Sequence, residues 1–435
     1  MSKYSQEQEK SLALIASAAQ RPMSGFVTHS ASGDTIYDAE GRGYLDFNQS
    51  VAVVGHANPR VVDSIEKHAK TLLVGGLTGW ALLQPRLELA EALISRMPGQ
   101  LKLTAKFAFC ASGAEACDYG IKLARTYTKK SVIISFQGSY HGFTGLTSQV
   151  SSYDSELRLH GYPLVTDAVY SPFPYAYRQN TDEEKTSDYC LNSLKLILDT
   201  VVHPDDVAAV IIEPIQMHGG VVVAPSRFLQ GLRKEICDRY DILLIDDEVF
   251  TCYGKSGRFL AIEHSGIEPD IICLGKAVGG CLPLGAIISR ADIIDGRLQG
   301  NCRSSSGGNA LACVTSLETL RILDDERLPQ RAERLGTMLL DGFRELSKKH
   351  ELIGDVRGKG LLIGVELVKD RVTKTPARDE AKRAIDEMRN SRILLTSTGI
   401  YDNVLRFVPP LIIQENSIQT VIHGMDKALQ SLPSC

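Results

Sequence analysis

The sequence predicts an α/β protein: a large unit built on a mostly parallel sheet, joined to a smaller α+β unit assembled from both chain ends. Two observations carry this. Between about residues 105 and 290, short apolar runs alternate with helix-like stretches, the pattern of strands that crossover helices cover on both faces. At 435 residues the chain also exceeds the size at which one hydrophobic core keeps growing, so two packed units are expected.

Each element follows from its local pattern. Near the start, TIYDAEGRGYLDF reads as two strands around an acidic-glycine turn. The strands of the large unit are KFAFC (106–110), SVIISF (131–136), VAAVIIE (207–213), DILLIDD (241–247), DIICLG (270–275) and GAIIS (285–289), with helices over 113–127 and 226–240 between them. After about 308 comes a long helical region, broken at IGDVRGKG by its glycines. A strand at 361–367, a helix over 378–391, strands near 393–396 and 404–408, and a last helix follow. The expected division places 71–324 in the large unit, with 1–70 and 325–435 forming the small one.

Composition narrows the function. With 48 basic against 52 acidic residues and a formal charge of −4, no cationic excess exists to neutralise phosphates, so a nucleic-acid partner is not expected. No window approaches 18 uninterrupted apolar residues, so no membrane span is expected. The first residues carry acids and too short an apolar stretch for a secretory signal. The ten cysteines are scattered without a C-x-x-C pair, and several lie in apolar runs. Reduced thiols and a cytoplasmic location are the expectation.

Four segments carry chemistry. SGAEA (112–116) follows a strand and opens a helix. Its unpaired N–H groups suit a phosphate, and Ser112 with Glu115 also reads as a capping box; both readings can hold together. GSYHG (138–142) puts an aromatic at a strand end, where Tyr140 can stack on a planar ring or simply be a loop tyrosine. LLIDDEV (243–249) ends an apolar strand in three acids, which need a cationic answer. No histidine or further acid lies at ligand spacing nearby, so no metal is expected, and a protonated heterocycle nitrogen facing Asp247 is the better answer. In ICLGKAVGGCLPLGA (272–286), Lys276 leaves a strand into a glycine-rich turn. An amine confined there loses solvation and basicity, as Schiff-base chemistry requires, unless it snorkels to the surface.

In this order, these segments, with GRGYLDF, VGHANPRV, IIEPIQ (211–216), GGNALA, IGDVRGKGLLIGVELV and VLRFVPPL (404–411), resemble the class III aminotransferases. These are the ω-aminotransferase-like subgroup II of the fold type I pyridoxal-phosphate (PLP) enzymes. The resemblance runs from about residue 25 to 430. It implies a seven-stranded, mostly parallel sheet in the large domain and PLP as cofactor. It implies Lys276 as the Schiff-base lysine and proton shuttle, Asp247 opposite the pyridinium nitrogen, and Tyr140 and Val249 on the two ring faces. Ser112, Gly113 and Ala114 would bind the phosphate, with Ser305 reaching it from a neighbouring subunit, which implies a homodimer with shared sites. Glu213 would lie near the ring plane and Arg406 would hold a substrate carboxylate.

Three departures bear on substrate. Phe143 stands where members handling glutamate or 4-aminobutyrate often carry arginine, so a distal carboxylate is not expected in that pocket. His218 stands where a glutamate often gates the arginine, and is a candidate second acid/base. Phe250 replaces a polar residue that frequently bonds the cofactor. Phe143, Trp80 and Tyr253 suggest an apolar pocket. The expected reaction is amino transfer from a neutral amino acid or ω-amine to a keto acid. The alternative is racemisation or epimerisation of an amino acid. A non-catalytic PLP-fold protein, or a hydrolase holding a metal on Asp246, Asp247 and Glu248, is the weaker expectation.

Overall fold

The computed structural model describes residues 26–71, 82–155, 167–296 and 302–432. Its centre is a seven-stranded sheet. Edge to edge, the strands are Ala105–Cys110, Gly285–Arg290, Ile271–Leu274, Leu243–Asp247, Val207–Ile212, Val132–Phe136 and Ala168–Ser171. Gly285–Arg290 runs antiparallel to both its neighbours, and the remaining adjacent pairs are parallel. The central strands are apolar on both faces because both faces are covered: every residue of Val207–Ile212 and of Ile271–Leu274 is buried. Ala168–Ser171 was not expected from the sequence. Four residues at a sheet edge with mixed polarity give little periodic signal.

The predicted helix over 226–240 is present but not uniform. It begins as Ser226–Gly231, passes through a π-helical turn over Leu232–Cys237 and ends at Tyr240. The long helical region after 308 is two helices, Ala310–Asp325 and Leu328–Lys349. Arg327, in a left-handed conformation (φ 49°), and Pro329 separate them.

IGDVRGKG is not a glycine break. Ile353–Lys359 is a strand, antiparallel to Leu362–Asp370, and Gly360 (φ 56°) turns the chain between them. Asp355 and Arg357 hid it. Arg357 donates to Asp355 and Glu366 at 2.7 and 2.8 Å, so charged side chains occupy half-buried strand positions where apolar ones would have shown alternation. The predicted strand at 393–396 is also divided. Ile393–Leu394 joins one sheet and Thr396–Thr398 another.

The chain ends meet. Ile393–Leu394 pairs in parallel with Gly43–Asp46 in a four-stranded sheet. Val408 N–H donates to Phe47 O at 2.7 Å, and Gln49 N–H donates to Val408 O at 2.7 Å. Phe47, Phe343 and Phe407 are fully buried against one another. Burying each such ring stabilises the junction by roughly 1.5–3 kcal/mol.

Candidate active site

In a sheet of parallel strands, all carboxyl ends open on one edge, and loops from distant segments converge there. Asp247 closes its strand, Glu213 follows Val207–Ile212, Tyr140 and His141 follow Val132–Phe136, and Lys276 follows Ile271–Leu274. They surround a cavity of about 190 Å³. Of the expected site residues, Gly113, Ala114, Tyr140, Glu213, His218, Asp247, Val249 and Lys276 line it, together with His141, Gly142 and Phe250. A larger cleft of about 460 Å³ beneath Tyr175–Tyr177 contains none of them.

The helix Gly113–Thr128 points its start at this cavity. Ser112 Oγ accepts from Glu115 N–H at 3.2 Å, and Glu115 Oε2 accepts from Ala111 N–H at 2.7 Å. Capping is therefore real, and Ser112 itself is exposed outside the cavity wall. The N–H groups of Gly113 and Ala114, in the first turn, have no acceptor within the helix. The approach is close enough to demand glycine. A Cβ on Gly113 would lie 2.3 Å from Val249, and one on Gly275 would lie 2.8 Å from Gly113 Cα.

Asp247 is buried, and its partners come from three segments. His141 Nδ1 lies 2.7 Å from Oδ2, the Cys117 thiol donates to the same oxygen at 3.3 Å, and Val249 N–H donates to Oδ1 at 3.0 Å. Ligating atoms of Cys117, His141 and Asp247 all lie within 4.8 Å of one another. Hydrogen bonds onto one carboxylate account for that spacing. Sequence reading missed His141 and Cys117, which lie 106 and 130 positions from Asp247. The only signal was the histidine beside Tyr140. Asp246 is entirely buried with neither oxygen partnered. Burial first, then Glu248 and Asp247, pushes its carboxyl well above the usual range. Glu248 is held by Thr251 and by Ile262 N–H at 2.7 Å, and burial raises it to about 7. Of the three acids, Asp247 is the one that lines the cavity.

Lys276 is half-buried, with a left-handed backbone (φ 47°) that side-chain-bearing residues seldom adopt. Burial holds its amine below the ordinary lysine value, although Asp247 and Glu213 pull the other way. Glu213 accepts from Tyr140 N–H at 2.8 Å and Met217 N–H at 3.3 Å, and burial raises it to about 7. His218 packs against Tyr140 with ring centres 4.1 Å apart and ring planes inclined at 45°. Burial, then the cations of Arg406 and Lys276, keep its imidazole neutral, well below the usual histidine value. Arg406 lies on Val404–Phe407, donates to Asn48 Oδ1 at 2.8 Å and leaves Nε unpartnered. Burial pushes it down to about 10.

The remaining expected residues fall outside the cavity wall. Phe143 is 57% exposed and its ring sits 5.1 Å from Tyr140, at the mouth. Ser305 is exposed. Tyr253 does not contribute to an apolar pocket: it is fully buried, bonds Ser316 at 2.7 Å and packs on Phe259. Trp80 lies outside the described residues. The nine described cysteines are free thiols. No described helix is long and apolar enough to cross a membrane.

Together these features fit PLP. A buried carboxylate suits a ring N–H, a helix start with unpartnered N–H groups suits a phosphate, and a desolvated lysine faces the same space. Comparison with known proteins agrees. The sequence pattern of class-III aminotransferases matches residues 15–429. The chain is 34% identical to a 5-aminovalerate aminotransferase of Pseudomonas aeruginosa, over 90% of this chain and 91% of that one. It is 38% identical to a leucine/methionine racemase of Thermococcus litoralis, over 91% of this chain and 88% of that one. The fold superposes on a Bacillus anthracis aminotransferase with a TM-score of 0.91 at 27% identity, covering 99% of this chain and 100% of the other. The chain belongs to the class-III aminotransferase family, PLP-dependent enzymes of fold type I.

Proposed function

We propose that this protein moves the amino group of a neutral amino acid or ω-amine to a keto acid, with Lys276 as its Schiff-base lysine. The observation that carries this is the convergence of Lys276, Asp247 and the Gly113–Ala114 helix start on one cavity. Bound PLP supplies an electron sink for the bond broken at the substrate carbon. The chain's own residues do the rest. Gly113 and Ala114 N–H groups would hold the phosphate, and the Asp247 carboxylate, oriented by His141 and Cys117, would hold the ring nitrogen protonated. Tyr140 and Val249, both in the cavity wall, would confine the ring. Lys276 Nζ, desolvated and less basic than a surface lysine, takes and returns the substrate proton. Arg406 orients the substrate carboxylate, and Phe143 supplies no cation at its own position for a distal one.

A second reading, racemisation, is favoured by one observation. His218 stands in the cavity wall with Lys276, its basicity lowered by burial, where it can serve as a second acid/base. The 38% identical racemase makes this concrete. One experiment separates the two. PLP-loaded enzyme is incubated in deuterium oxide with single amino acids, with and without a keto acid, and product chirality is followed. Amino transfer predicts turnover only with a keto acid and retained chirality. A D/L mixture carrying deuterium at the α carbon without any keto acid overturns it in favour of racemisation.

A further inference from the structure

Phe250 has a role that neither reaction assigns. Three cationic groups surround its ring: Lys276 Nζ at 4.6 Å, Lys255 Nζ at 5.2 Å and Arg406 Cζ at 5.3 Å from the centroid. All lie within the ~6 Å over which a ring's negative face attracts a cation. Burial lowers the basicity of both lysines, and the cations add to it by opposing one another, Arg406 acting on Lys276 and Lys276 on Lys255. Something must hold them together.

For Arg406, no carboxylate does. Among the described residues it makes no ion pair, and its one hydrogen-bond partner is the neutral Asn48 amide. The neighbouring His218 is an uncharged imidazole. Phe250, by contrast, is fixed. The residue is 7% exposed and belongs to one buried apolar cluster with Ile215, Met217, Val221 and Leu362. Its carbonyl accepts from the fully buried Lys255 at 2.6 Å, which pins the backbone beneath the ring.

We propose that Phe250 is the positioning residue that sets substrate specificity: its ring holds the Arg406 guanidinium in place of a counter-anion, leaving that arginine open for a substrate carboxylate. This rests on the reading of Arg406 as the carboxylate clamp. A π face stabilises a cation without neutralising it, so an incoming carboxylate displaces nothing. An amine without a carboxylate leaves Arg406 uncompensated and binds poorly. The preferred substrates are therefore amino acids, with a primary amine lacking the acid group disfavoured.

The test uses PLP-loaded enzyme titrated with 4-methylpentanoate, a carboxylate with no amino group to react, read by the shift in the cofactor's visible absorbance. Phe250→Leu should weaken binding roughly three- to thirty-fold, the range of a cation–π contact out of water. Phe250→Tyr, which keeps the π face, should stay within about twofold of the parent. If the leucine variant does not fold, Phe250→Met removes the π face with similar bulk. Parental affinity in the leucine or methionine variant overturns the proposal, as does an equal loss in the tyrosine variant, which would reduce the ring to packing. Arg406→Leu separates the two ideas. If it loses the carboxylate while Phe250→Leu does not, only the role of Phe250 fails. If it binds as the parent does, the carboxylate clamp itself fails and the proposal falls with it.

Discussion

Asp246 and Asp247 are adjacent in sequence and opposite in fate, because successive side chains of a strand point to opposite faces. Asp247 turns to the cavity and finds three hydrogen-bond donors or partners. Asp246 turns to the core, in register with Ile212 and Ile272, and finds none. Its raised proton affinity means the folded chain binds a proton that the unfolded chain has released. Stability therefore falls as pH rises above the unfolded carboxyl range, and keeps falling until the folded group ionises. Asp246→Val should stabilise the protein by about 1–3 kcal/mol, the cost of a buried polar group left unpaired. The gain should be larger at pH 8 than at pH 5 by urea unfolding; an equal or lower midpoint at both would show that Asp246 has a partner. At this scale the residues that end strands were legible: Glu213, Asp247 and Lys276 follow apolar runs whose ends a sequence reveals. His141 and Cys117 were not, because their work depends on which loops the sheet brings together.

Among elements, the helix Gly113–Thr128 forms where its sequence predicts, with Ser112 as its cap. Ser112 spends its side chain on the cap while the following two N–H groups face the cavity. The two functions are separable. Ser112→Ala should lower stability by about 1 kcal/mol, a typical loss for a cap, seen as a lower thermal midpoint in the cofactor-free protein. Ser112→Gly should lose only a few tenths of that amount. Equal losses would place the serine's value elsewhere than in the cap. The strand Ile353–Lys359 shows why other elements were opaque. Its charges belong to a buried cluster in which Glu366 accepts from Arg357 at 2.8 Å and from Arg178 at 2.6 Å, with Tyr175 bonding the same carboxylate. Burial alone would raise Glu366, but Arg357, Tyr175 and Arg178 outweigh it and hold it below the ordinary value. Arg357 also donates to Gly220 O at 2.6 Å, two residues beyond His218. Arg357→Ala should destabilise by about 3 kcal/mol, as removal of one partner of a buried pair does. Acid should narrow the gap, since protonating Glu366 removes the charge that Arg357 answers. A pH-independent difference by urea unfolding would reduce the arginine to packing.

Across the whole molecule, the site belongs to no single segment. The sheet supplies Asp247 and Lys276; Arg406, on the far C-terminal strand, does not line the cavity itself but lies 5.3 Å from the ring of Phe250, which does, and Asn48 from the N-terminal part accepts from that arginine. Gly399 N–H and Thr398 Oγ grip the carbonyls of His218 and Met217, so the C-terminal part also sets the loop that carries His218. We propose that 71–324 forms the large unit, which supplies every residue of the cavity wall, and that 1–70 and 325–435 join as the small unit beside it. Ser305 extends this logic beyond one chain. It is exposed and absent from its own chain's cavity wall, as expected of a hydroxyl that serves the phosphate of a second subunit in a homodimer. Complementation tests it. Ser305→Asp should place a negative charge against the phosphate and weaken cofactor binding, while Lys276→Ala should abolish turnover. If sites are shared, a mixed dimer of these two variants contains one undamaged site, formed by Lys276 of the Ser305→Asp chain and Ser305 of the Lys276→Ala chain. Mixed dimers isolated through two different tags should then recover about half the parental activity. If Ser305 serves its own chain, no site in the mixed dimer is intact, and activity falls to about half that of the Ser305→Asp homodimer.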